Sequence, residues 1–108
     1  MTRGVIEWAP FRLVAGVTDG QLMAASRELQ DVFLARQPGL VRRDLLRGRD
    51  GEWVDLVEWT DRASAEAVAK AAAQSPVCLA YFRLMVGGND LDPASGVSHF
   101  DRVAGYER

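Results

Sequence analysis

The chain has 108 residues, the size of one domain, with 48% hydrophobic and 26% charged residues, as in an ordinary globular protein. Its 13 basic and 15 acidic residues leave a net charge of −2, without the basic footprint of a nucleic-acid binder. One cysteine, Cys78, allows no internal disulfide, and no apolar run approaches the ~20 residues that cross a bilayer.

Met1-Thr2-Arg3-Gly4 leads straight into alternation, so no signal peptide is expected and the default address is the cytoplasm. Val5 to Val14 reads as a strand with Val5, Ala9, Phe11 and Leu13 on one face and Ile6, Trp8 and Arg12 on the other. Pro10 has no N–H for a ladder, which predicts a bulge or an unpaired donor position there. Thr18 is a good N-cap, followed by a helical stripe of Leu22, Ala25, Leu29, Val32, Phe33 and Arg36 that Pro38-Gly39 ends.

Leu40 to Arg47 and Glu52 to Thr60 are the second and third strands, joined by a hairpin turn at Asp50-Gly51. The arginines at 42, 43, 47 and 49 are interleaved with Asp44, Asp50 and Glu52, the pattern of a solvated hairpin. Thr60 or Asp61 caps an alanine-rich helix of about fourteen residues whose buried stripe is Ala65, Val68, Ala69 and Ala72. Ser75-Pro76 starts a fresh short helix carrying Cys78 and Tyr81. Gly87-Gly88-Asn89-Asp90 and Asp92-Pro93 form a loop, and Val97 to Tyr106 is the last strand.

The order β-α-β-β-α-(α)-β defines an α+β, ferredoxin-like domain over residues 1–108, a four-stranded antiparallel sheet with its helices on one face. The other face would expose Ile6, Trp8 and their neighbours, more apolar area than a small monomer leaves open. Two copies facing each other about a two-fold axis would bury it and enclose an eight-stranded barrel. A homodimer is therefore expected on physical grounds.

Phe11-Arg-Leu-Val-Ala-Gly-Val17, Gln37-Pro-Gly-Leu40, Leu45-Leu-Arg-Gly48, Trp53-Val-Asp-Leu-Val-Glu-Trp59 and Asp61-Arg-Ala-Ser-Ala-Glu66, with the Ser75-Pro76 break, resemble the dimeric α/β-barrel superfamily. The likeness runs from about residue 5 to 106 and is nearest to its antibiotic-biosynthesis-monooxygenase group. It implies a dimeric barrel and a cofactor-independent monooxygenase or isomerase acting on an aromatic or polyketide-like compound. The chain departs from the haem-degrading members and from the quinone-forming oxygenases, both of which rely on an asparagine near the first strand, and from the haem degraders' histidine on the second helical region. The only asparagine here is Asn89, and the second region reads Val77-Cys78-Leu79.

His99 is the only histidine, and Asp101 shares its strand face, a pair suited to acid–base work if that face lines a cavity. One histidine with scattered carboxylates is no metal-ligand set, so no metal is expected. Trp8 and Arg12 share a face, one to stack on an aromatic ligand and the other to pair with an anionic group. Asp55 and Trp59 share a face of the third strand, Glu58 lies opposite, and one of the two carboxylates should reach the cavity. Tyr81 can donate a hydrogen bond at its mouth. Three readings stay open: an enzyme, a binder of a small hydrophobic or aromatic molecule, and a dimer whose barrel is filled by side chains.

Overall fold

The computed structural model describes residues 4–88 and 96–108, and Asn89 with most of its predicted loop lies outside them. Four strands, β1 (Val5–Phe11), β2 (Leu40–Arg47), β3 (Trp53–Trp59) and β4 (Ser98–Asp101), form one antiparallel sheet in the order β2-β3-β1-β4. Helix α1 (Asp19–Val32) joins β1 to β2. Helices α2 (Arg62–Ala72) and α3 (Pro76–Phe82) join β3 to β4. Each crossover thus spans one intervening strand, the split β-α-β arrangement of the ferredoxin-like fold.

Alternation decides which side of the sheet is covered. Val5, Trp53, Val57 and Trp59 pack against Leu22 and Leu29 of α1, Ala65 and Val68 of α2, and Cys78 and Tyr81 of α3. The small side chains of α2 let it lie close to the sheet. The even-numbered residues of β1 point the other way, and Trp8 (40% exposed), Leu46 and Phe100 leave that second face open and apolar.

Local chemistry explains the element ends. Thr18 Oγ1 accepts from Gln21 N at 3.1 Å while Gln21 Oε1 accepts from Thr18 N at 2.8 Å, a complete capping box for α1. Ser75 Oγ caps α3, and Pro76, which cannot continue a hydrogen-bonded ladder, forces the break from α2. Asp50 and Gly51 both take positive φ, +56° and +78°, at the β2–β3 hairpin.

Pro10 sits in regular register opposite Val54, without a bulge. Just outside β1 at either end, Gly4 O accepts from Arg102 N and Arg12 O from Val86 N, so the even-numbered positions turn their backbone groups away from β3. Pairing with β4 ends at Trp8, so Pro10 occupies the gap where no donor is asked of it.

Two expected elements are shorter than their periodicity. Helix α1 ends at Val32, and Leu34–Arg36 form a 3₁₀ turn, because Phe33 leaves helical geometry (φ −119°) and turns toward the space between helix and sheet. The last strand ends at Asp101, opposite Val5, and residues 102–108 are exposed and irregular. No helix among the described residues is long and apolar enough to cross a membrane.

Candidate functional site

A cavity of about 370 Å³ lies between the helices and the covered face of the sheet, within a single copy of the chain. That volume falls in the roughly 300–1,000 Å³ range of small-molecule pockets. Phe11, Leu29, Phe33, Val68, Phe82 and Met85 supply apolar wall. Strand β1 and the segment after α3 are tied together by Val14 N to Leu84 O and Val86 N to Arg12 O, both 2.8 Å, which holds α3 over the cavity. Two polar groups interrupt the apolar lining.

The first joins Arg43, Asp55 and Tyr81. Arg43 Nε donates to Asp55 Oδ1 at 3.0 Å, Nη1 to the Ser26 carbonyl at 3.2 Å, and Nη2 to Tyr81 Oη at 3.1 Å. Tyr81 Oη donates to Asp55 Oδ2 at 2.7 Å, which closes the ring of contacts. Arg43 and Asp55 side chains are only 7% and 10% exposed. Burial pushes the Asp55 carboxyl up against the pull of Arg43 and Tyr81, and burial with the neighbouring Asp55 pushes the Tyr81 phenol up. Each nitrogen of the guanidinium is committed, so the group is a buried brace across β2, β3, α1 and α3.

The second group is Glu7, Trp59 and His99. Glu7 pairs across the sheet with His99, and Glu7 Oε1 lies 3.5 Å from His99 Nε2, beyond good hydrogen-bond distance. Trp59 Nε1 donates to the same oxygen at 3.3 Å. His99 Nε2 is buried without a hydrogen-bond partner among the described residues. Burial raises the Glu7 carboxyl above the ordinary range, against the lowering influence of His99 and the Trp59 indole. A carboxylate and an imidazole nitrogen with unspent capacity therefore face one apolar cavity.

Of the residues the sequence singled out, His99, Asp55, Trp59 and Tyr81 line this cavity. Asp101 shares the strand face of His99 but sits at the exposed end of β4, where Arg62 Nη2 donates to it at 2.9 Å. Trp8 and Arg12 lie on the open face of the sheet; Arg12 reaches across to the Asp50 carbonyl. Neither lines the cavity, because it opens toward the helices and not between facing sheets. Asp55 is the inward carboxylate of β3, and Glu58, on the open face, pairs with Arg102 at 2.7 Å.

The solvated-hairpin reading fails for Arg43. A bulge between Leu40 and Arg42 leaves Val41 unpaired and 54% exposed, and it sets Arg43 opposite Val57 on the covered face. Glu7 was missed in the sequence, although period-2 parity with Val5, Ala9 and Phe11 places this carboxylate on the covered face. Cys78 also lines the cavity as a free buried thiol whose pKa burial raises. No three of His, Cys, Asp and Glu gather as a metal site among the described residues.

The chain has the ferredoxin-like α+β fold seen in dimeric α/β-barrel proteins. SnoaB, a cofactor-independent oxygenase from Streptomyces nogalater, shares 22% identity over 97% of this chain and 96% of its own, with a TM-score of 0.68. A dimeric ferredoxin-like protein of unknown function from Jannaschia sp. CCS1 shares 17% identity over 91% of this chain and 96% of its own, at 0.60. A protein from Nitrosomonas europaea provisionally described as an antibiotic biosynthesis monooxygenase shares 16% over 94% and 89%, also at 0.60. No protein-family model and no curated protein sequence matches the chain.

Proposed function

We propose that the chain is a cytoplasmic small-molecule enzyme of the cofactor-independent monooxygenase or isomerase type, acting as a homodimer on an aromatic or polyketide-like compound. The observation that carries this reading is the pairing of Glu7 with His99 at the wall of an apolar, aromatic-lined cavity. The likeness to an oxygenase that needs no cofactor and to dimeric neighbours supports it.

Removing a proton from a phenolic or enolisable ring produces an electron-rich anion. That anion can be reprotonated elsewhere, an isomerisation, or give electrons to dioxygen, an oxygenation. Both begin with the same proton transfer. Glu7 is suited to accept that proton, since burial raises its carboxyl above the ordinary range and makes it a stronger base. His99 relays it or holds the developing oxyanion, Trp59 fixes the Glu7 carboxylate, and Phe11, Phe33 and Tyr81 give ring walls. Asp101, engaged with Arg62 outside the cavity, takes no part. Trp8 serves the dimer face, where two open sheets meet.

Turnover of a panel of hydroxyaromatic and enolisable compounds, followed by dioxygen uptake and product mass, tests the proposal. Glu7→Gln should lower kcat on an accepted compound by roughly 10²–10⁴-fold, the usual worth of a general base. His99→Ala should also lower it. Full turnover in both variants would contradict this assignment, and tight binding without turnover would leave a binding protein.

A further inference from the structure

We infer, on the reading of this cavity as the substrate site, that it filters by charge, accepting rings whose polar group donates hydrogen bonds and refusing those that carry a carboxylate or phosphate. The only cationic side chain lining the cavity among the described residues is Arg43, which donates once from each nitrogen, to Asp55, Ser26 and Tyr81, and is paired with the buried Asp55 carboxylate. An incoming anion would meet a guanidinium whose charge is already offset by Asp55.

It would also meet Glu7. That carboxylate receives one indole N–H, from Trp59, and among the described residues no arginine or lysine pairs with it. The His99 nitrogen, without a hydrogen-bond partner among the described residues, lies 3.5 Å from Glu7. An anion bound to His99 would therefore stand beside a second negative charge. Apolar walls screen that repulsion poorly, so the two like charges disfavour each other far more than they would in water. A hydroxyl or amine has the opposite experience, because it can donate to Glu7 and satisfy an acceptor now in want of a partner. The feature that makes Glu7 a base also selects what may approach it.

Calorimetric titration of the purified protein with naphthol and with naphthoate at neutral pH tests the filter, with the same pair repeated on Glu7→Gln. The expected result is naphthol binding at least about tenfold tighter than naphthoate, a ratio that Glu7→Gln narrows by strengthening naphthoate. Equal or tighter binding of naphthoate, or a ratio that Glu7→Gln leaves unchanged, overturns the filter while leaving the cavity as the ligand site. Binding of neither probe to the unaltered protein overturns the site reading, and the filter falls with it.

Discussion

Glu7 and Arg43 show two fates of a charge carried to the inside of a sheet. Arg43 meets Asp55 and Tyr81, which lie 12 and 38 residues away in the chain, and is fully engaged. Replacing it by methionine strands Asp55, so Arg43→Met should cost about 3–5 kcal/mol in urea unfolding, and Arg43→Met/Asp55→Leu should recover much of the loss. Glu7 finds only an indole and a distant imidazole. Because burial raises its pKa in the folded state, the folded chain keeps this proton at pH values where the unfolded chain has lost it. Stability is then gained as pH falls through that window, and above it the charged Glu7 is a cost. Glu7→Gln should raise the melting midpoint by about a few degrees at neutral pH, with the gain vanishing in acid. An equal gain at every pH would contradict the assignment. Period-2 alternation puts Glu7 on the covered face, although it was missed in the sequence. Arg43 was hidden, because its partners are distant and a bulge decides which way it faces.

At the scale of elements, junctions hold the pocket in place. Gly39, at φ +87°, brings the start of β2 against the start of α2, and a Cβ there would lie 2.3 Å from Ser64 Oγ. Gly39→Ala therefore combines backbone strain with a clash and should destabilise by about 2 kcal/mol or more, read from thermal or urea unfolding. Strands, caps and the alanine stripe of α2 were readable because each follows from local chemistry: alternation, a capping hydroxyl, a proline. The ends of α1 and β4 were not. Phe33 makes the last helical bond, to Leu29 O, with its side chain at the cavity, and β4 is set by its pairing with β1, and both reasons are tertiary. The alternation that continues to Tyr106 pairs with no strand among the described residues.

For the whole molecule, the ferredoxin-like order and the apolar second face were both legible, but the position of the cavity was not. Exposed apolar side chains drew the ligand site to the space between two sheets, and with it Trp8 and Arg12. The described residues form a cavity on the helix side of the sheet, and the second face stays exposed and apolar. The two surfaces are thus predicted to be separable. Trp8→Glu should shift the protein from dimer to monomer in sedimentation while its far-ultraviolet dichroism stays unchanged, and an unaltered dimer would mean that the copies meet elsewhere. The most direct test of where the chemistry resides is a crystal structure of the protein grown with naphthol. The account predicts the ring between α3 and the sheet, against Phe11, with its hydroxyl within hydrogen-bond reach of Glu7 or His99. A ring lodged between two sheets against Trp8, with the helix-side cavity unoccupied, would contradict it.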